Sequence, residues 1–149
     1  MFYNAKLEKI GTIDAAVEYK KDGKPVPIEL TNTFAQCPNL TTIKTLKVSE
    51  NNTFKNTFND SKKLESITFE GKISNDISFV SSPLTVESAK SAIMALDDSS
   101  VGKTITFSET TKGFLNNLED GKIFPNTEGE ENQLPWDEYI PKVKGWSFA

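Results

Sequence analysis

The sequence predicts an α/β chain built as a solenoid: short stacked units with a mainly parallel sheet, followed by a C-terminal capping region containing one clear helix. Three observations carry that expectation: an internal echo at a fixed spacing, β-branched and aromatic runs that continue after it, and one stretch of helical periodicity.

The echo comes first. Asn32-Thr-Phe34-Ala-Gln-Cys37-Pro-Asn-Leu40-Thr-Thr-Ile43 returns 24 residues later as Asn56-Thr-Phe58-Asn-Asp-Ser61-Lys-Lys-Leu64-Glu-Ser-Ile67. Apolar positions that recur at a unit length, and not at a helix period, imply coils that cover one another, since each unit alone leaves an apolar edge bare. Leu and Ile three apart are expected to flank a short strand, while the Phe and the small Cys37/Ser61 position fill the space between neighbours. A partial third copy, Phe2-Tyr-Asn-Ala5-Lys-Leu7-Glu-Lys-Ile10, opens the chain, so Met1 sits inside a unit. The edge formed by Phe2, Leu7 and Ile10 would then be bare. It is expected either to be covered by residues 1–24 folding back as a cap or to pair with a second copy, making the chain a homo-oligomer through the N-terminal repeat edge.

The remaining elements follow in order. Asp22-Gly-Lys-Pro25-Val-Pro27 reads as a loop that lengthens the first unit. Ser66–Phe69, Ile77–Phe79, Lys103–Phe107 and Gly145–Phe148 read as strands and further rungs of one sheet. Thr85–Leu96 carries Val86, Ala89, Ile93 and Leu96 at helical spacing, with Thr85 as N-cap and Glu87 favouring the dipole. A shorter helical turn is expected over Thr111–Leu118, and Glu119–Gln133 reads as a polar loop. The expected organisation is one domain over 1–149, with units at about 1–24, 30–53 and 54–77, a cap over 78–149, and a loop insertion over 119–143.

Composition narrows the chemistry. The chain has 149 residues, no His and one cysteine, Cys37, so an intramolecular disulfide and the usual zinc ligand sets are excluded. Its 17 basic residues, all Lys, stand against 21 acidic ones, for a net charge of −4. That balance argues against a nucleic-acid partner, and no apolar run is long enough for membrane insertion. The Ser-His and Cys-His arrangements of nucleophilic catalysis cannot be assembled, and Cys37 occupies a position that is Ser61 in the next unit. Gly102-Lys103-Thr104 echoes a phosphate-binding loop, yet Asp98 stands where the upstream Gly belongs and a strand follows it. No catalytic residue, metal or cofactor is expected, and the chain is read as not an enzyme.

The MFYN opening, the Phe34-Ala-Gln-Cys-Pro-Asn-Leu-Thr-Thr-Ile43 unit, the Ser82-Pro-Leu-Thr-Val-Glu-Ser-Ala-Lys90 segment and the ending Lys144-Gly-Trp-Ser-Phe-Ala149 together resemble the BspA-like leucine-rich-repeat surface proteins of Firmicutes and their prophages. The resemblance covers most of residues 1–118 and the last six; the stretch 119–143 departs from it. It implies a leucine-rich-repeat solenoid, a place on a cell surface or phage virion, with a cytoplasmic one left open, and roles in adhesion, tail structure or partner recognition. It implies no reaction.

A binding or structural module is therefore expected, meeting a protein or glycan through outward strand positions: Thr42, Lys44, Ser66, Thr68, Ser78, Thr104 and Thr106. Their hydroxyls equally suit plain β propensity and solubility. Two other classes stay open. One is a polysaccharide-acting enzyme using carboxylates of residues 119–138, among them Glu128, Glu130, Glu131, Asp137 and Glu138. The other is a small phage-encoded protein inhibitor with an acidic surface. Trp136 and Trp146 have faces suited to sugar stacking, although Trp146 belongs with the closing strand and the core.

Overall fold

The 24-residue echo takes one backbone form twice. Asn32 and Asn56 have φ of 55° and 53°, and Gln36 and Asp60 have φ of 54° and 56°. These left-handed positions strain most side chains, and Asn and Asp tolerate them best. They bend the chain into consecutive turns, with Thr33 N–H donating to Leu30 O and Thr57 N–H to Phe54 O. Ala35 donates to Asn32, and Asn59 to Asn56, in the same way. The two turn series are joined by Asn32 to Lys55, Phe34 to Thr57 and Gln36 to Asn59 backbone bonds. Phe2 and Asn4 donate likewise to Thr33 and Ala35, so the partial first copy has the register its residues suggest.

The computed structural model describes residues 2–117, 124–126 and 129–149. In chain order the elements are β1 (Lys9–Asp14), β2 (Tyr19–Lys21), β3 (Lys24–Val26), β4 (Thr42–Val48), β5 (Ser66–Gly71), β6 (Ile77–Phe79), α1 (Val86–Ala95), β7 (Thr104–Phe107) and α2 (Glu109–Asn116). They are followed by β8 (Phe124–Asn126), β9 (Gly129–Leu134), α3 (Trp136–Tyr139), a π-helical turn (Ile140–Lys144) and β10 (Ser147–Phe148). The class is mixed α/β with parallel sheets. The strand of each unit does not lie between the Leu and the Ile but begins beside the Ile: Leu40 precedes β4, and Ile43 is its second residue.

The strands do not form one sheet. β1, β4 and β5 make one parallel sheet in that order, while β6, β7 and β10 make a second in the order β10-β7-β6. The reason lies at the free edge of β5. There α1 takes the place of the next strand: Ser88 Oγ accepts from Ile67 N–H and Ser91 Oγ from Phe69 N–H, each at 2.9 Å. Thr85 N–H donates to Glu65 O at 2.9 Å. Hydroxyls thus satisfy the strand's outward donors, and the sheet stops. The second sheet forms instead alongside the phenylalanine-bearing turns.

Packing explains the alignment. Phe2, Phe34, Phe58, Phe79 and Phe107 stack in a column with centroid spacings of 5.7, 5.7, 4.8 and 6.2 Å. Beside it, Ile10, Ile43 and Ile67 occupy matched strand positions, as do Ile13, Leu46 and Phe69. Buried side chains from Ala15 to Trp146 form one cluster that includes Leu40, Ile43, Leu64, Ile67, Ile105 and Phe107. Cys37 is buried, its Sγ donating to Phe2 O at 2.9 Å, and Ser61 Oγ in the equivalent place donates to Phe34 O.

Helix α1 begins at its N-cap Thr85, whose Oγ1 accepts from Ser88 N–H. The second helix starts earlier than its apolar spacing suggests, because Ser108 caps it by accepting from Thr111 N–H; Leu118 lies outside the described residues. Two stretches read as loops are hairpins. Asp22 and Gly23, with φ of 53° and 75°, turn β2 back on β3, a pairing that an Asp-Gly step favours. In the 119–143 stretch β8 pairs with β9, and α3 and the π turn follow; residues 118–123 and 127–128 lie outside the described residues. The ordering there is aromatic: Phe124 stacks on Tyr139 at 4.8 Å, and Trp136 packs edge-on against Phe107 and Phe148. Trp136 Nε1–H reaches Asn116 Oδ1 at 2.8 Å and Trp146 Nε1–H reaches Asp97 O at 2.9 Å, so both indoles are core groups.

Among the described residues nothing folds back as a strand at the N-terminal side. The β2–β3 hairpin pairs only with itself and leaves β1 with one strand neighbour, Leu7 is 40% exposed, and Ile10 is half-buried. Among the described residues no helix is long and apolar enough to cross a membrane.

Candidate functional site

The two-sheet arrangement divides the seven outward strand positions. Thr42 and Ser66 are register partners on β4 and β5, with Lys44 and Thr68 exposed on the same strands. Ser78, Thr104 and Thr106 lie on β6 and β7, with Ser78 opposite Thr106. A single face carrying all seven is therefore not formed, since a helix stands beside β5 where that face would continue.

The β6–β7 group sits in a cleft. A space of about 240 Å³ is lined by Phe54, Lys55, Asn56, Asp76, Ile77, Ser78, Thr104 and Thr106. A smaller space of about 150 Å³, lined by Asn56, Phe58, Asn59, Ser78 and Val80, shares Asn56 and Ser78 with it. Phe54 and Ile77 are buried and give the cleft an apolar floor; Ser78 and Asp76 are exposed, and the two threonines half so. Asp76 Oδ1 accepts from Thr104 N–H at 2.8 Å, holding the start of β7 against the β5–β6 connection. The cleft thus offers hydroxyls and an amide above hydrophobic surface, with one cation and one anion on its wall. Such a lining offers hydrogen bonds and apolar contact together.

Reading the sequence picked out Asn56 only as a repeat position and passed over Phe54, Lys55 and Asp76. Phe54 carried a usable signal, standing 24 residues after Leu30 and therefore at an inward position. Asp76 carried none: an acidic residue before a short strand is common, and its role comes from a strand 28 residues away.

A second polar cluster supports the fold beneath. Asp97 is buried, and its carboxylate accepts from Ser74 Oγ at 2.8 Å, Ser99 Oγ at 2.8 Å, Ser99 N–H at 3.1 Å and Ser100 Oγ at 3.2 Å. The Ser74 hydroxyl first, then the two Ser99 bonds, hold this carboxyl well below the usual carboxylate range despite burial. The Lys72 ammonium, 3.5 Å away but largely exposed, adds little. Asn52, also buried, donates to Ala15 O and Ile28 O at 2.9 and 3.0 Å and accepts from Ser49 N–H at 2.7 Å. Burial lowers the Lys144 ammonium, which donates to Met94 O, and raises the Tyr139 phenol beside it.

Of the carboxylates considered for polysaccharide chemistry, Glu128 and the side chains of Glu130 and Glu131 lie outside the described residues. Asp137 and Glu138 fall in the first turn of α3, where Glu138 pairs with Lys142. Comparison with protein-family models, curated proteins and solved structures gave no match.

Proposed function

We propose that this chain is a non-catalytic binding module of the leucine-rich-repeat solenoid type that recognises a protein or a glycan through the β6–β7 cleft. The reading includes the BspA-like kinship suggested by the sequence and a place on a bacterial surface or phage particle. One observation supports it above the others: Ser78, Thr104 and Thr106 converge with Asn56, Lys55 and Asp76 over the apolar floor of Phe54 and Ile77. Stacked coils hold these segments at fixed spacing, so the cleft is formed before a partner arrives and little ordering entropy opposes binding. Protein and glycan partners both satisfy such a surface, by backbone or hydroxyl hydrogen bonds respectively.

The test presents the protein to an oligosaccharide array and a displayed-peptide library, then compares affinities for the ligands recovered. Filling the cleft with Ser78→Arg and Thr106→Arg together is expected to weaken binding at least about tenfold. Lys44→Glu, on the other sheet, is expected to leave it unchanged. Binding that survives the filled cleft overturns the site. Release of new reducing ends from a bound glycan overturns the non-catalytic reading.

A further inference from the structure

The N-terminal sheet edge is self-complementary. β1 is the outer strand of its sheet, and its inner side is taken up by β4: Glu8 O accepts from Thr42 N–H, and Ala15 N–H donates to Lys47 O. Alternation counted from Glu8 turns the backbone groups of Lys9 to the open side, and counted back from Ala15 it turns those of Asp14 there too; the strand takes up the odd residue between Ile10 and Ile13, opposite the Ile43–Leu46 step where β4 shifts against β5. Lys9, Gly11, Thr12 and Asp14 are exposed, whereas Ile10 and Ile13 turn inward and are half-buried.

We propose that β1 is the docking strand for a second copy of this chain, paired antiparallel about a two-fold axis between Gly11 and Thr12. In that register Lys9 stands opposite the partner's Asp14, Ile10 opposite the partner's Ile13, and Gly11 opposite the partner's Thr12. Every pair matches. The residues that offer open backbone groups, Lys9 and Asp14, meet each other with opposite charges on the outer face. The two isoleucines, both inward, meet on the core side and extend the Ile10–Ile43–Ile67 and Ile13–Leu46–Phe69 rows across the axis.

A charge pattern already on the sheet favours this register. Glu70, Lys47 and Asp14 are successive neighbours across β5, β4 and β1, with Lys47 Nζ 3.5 Å from Glu70. The row runs negative, positive, negative, and the partner's Lys9 supplies the next positive charge. A two-fold contact of this kind is closed, so it makes dimers and not filaments.

The experiment is sedimentation of the full chain over a dilution series, with thermal unfolding as a control for folding. The wild type is expected to dimerise. Lys9→Glu and Asp14→Lys, singly, each place like charges opposite one another twice per dimer, and each should weaken the dimer roughly tenfold. The double variant carrying both restores opposite charges and should return the dissociation constant to near the wild-type value. Asp14 Oδ1 also accepts from Ala16 N–H, so Asp14→Lys alone has a local cost. The Lys9 side chain takes part in no hydrogen bond or ion pair among the described residues, and Lys9→Glu keeps the test sound. A protein monomeric at the highest attainable concentration overturns the proposal. So does a dimer indifferent to the single variants, and so does one that the double variant fails to restore.

Discussion

Phe58→Ala tests the column that aligns the two sheets. Phe58 is 1% exposed and its ring lies between those of Phe34, at 5.7 Å, and Phe79, at 4.8 Å. Removing it takes the ring from the core and strips a stacking partner from both neighbours, at a cost of about 3 to 5 kcal/mol. About 0.5 to 1.5 kcal/mol for each stacked pair is contained in that figure. For a chain of this length the loss corresponds to a fall in melting temperature of roughly 6 to 20 °C. Phe2→Ala is the internal comparison: that ring is half-buried and, among the described residues, stacks only on Phe34, so about 1 to 2 kcal/mol is expected. Both variants are read by urea unfolding followed through the fluorescence of Trp136 and Trp146. A loss at Phe58 below about 1 kcal/mol, or no greater than that at Phe2, would refute the claim that the stacked column holds the two sheets together.

Three other perturbations address different links. Asp97 has a folded-state pKa held below its unfolded value of about 3.9, so its stabilisation is full above that pH and is lost as pH falls toward the folded value; acid titration of unfolding should therefore be shallower in Asp97→Asn than in the wild type, and parallel curves would contradict the assignment. Ser88→Ala leaves the buried Ile67 N–H without its acceptor and should cost about 1 to 3 kcal/mol, with faster amide exchange at Ile67 as the specific readout. Gly71→Ala would set a Cβ 1.9 Å from Val48 O on a residue with φ of 93°; a loss of about 3 kcal/mol or more is expected by chemical denaturation, and a neutral result would mean that β4 and β5 separate easily at that point.

The inward half of the fold is legible because burial constrains residue type. Phe34 and Phe58, Leu40 and Leu64, and Ile43 and Ile67 recur at one spacing and are all buried, and the Thr85 cap with the Val86, Ala89 and Ile93 spacing marks α1. The same echo does not say which neighbour each strand takes. Ser88 and Ser91 end the first sheet from positions 21 and 22 residues beyond the amides they cap, and no local pattern connects them. Asp22-Gly23 is a hairpin signal, but the Asp22-Gly-Lys-Pro25-Val-Pro27 segment reads as a loop, since two prolines disfavour a strand there. In the 119–143 stretch the apolar residues are sparse, so Phe124, Trp136 and Tyr139 show no period although each is buried.

The candidate site is less legible for a related reason. Its walls come from residues 54–56, 76–78 and 104–106, which are separate in the chain and brought together by the β6–β7 pairing and the stacking of Phe58, Phe79 and Phe107. An inward position must be apolar and of suitable size, so it declares itself in one sequence; an outward position on the same strand is constrained only by its partner. Ser78 and Thr106 face each other across β6 and β7 for a reason that the fold supplies, yet their hydroxyls would suit any solvated strand. Periodicity therefore locates the surface and leaves its chemistry open. The β1 edge differs, because there the proposed partner is the same strand: Lys9, Ile10, Ile13 and Asp14 would be both the surface and its complement, and a self-pairing edge is the one kind of interface for which a single sequence contains both sides.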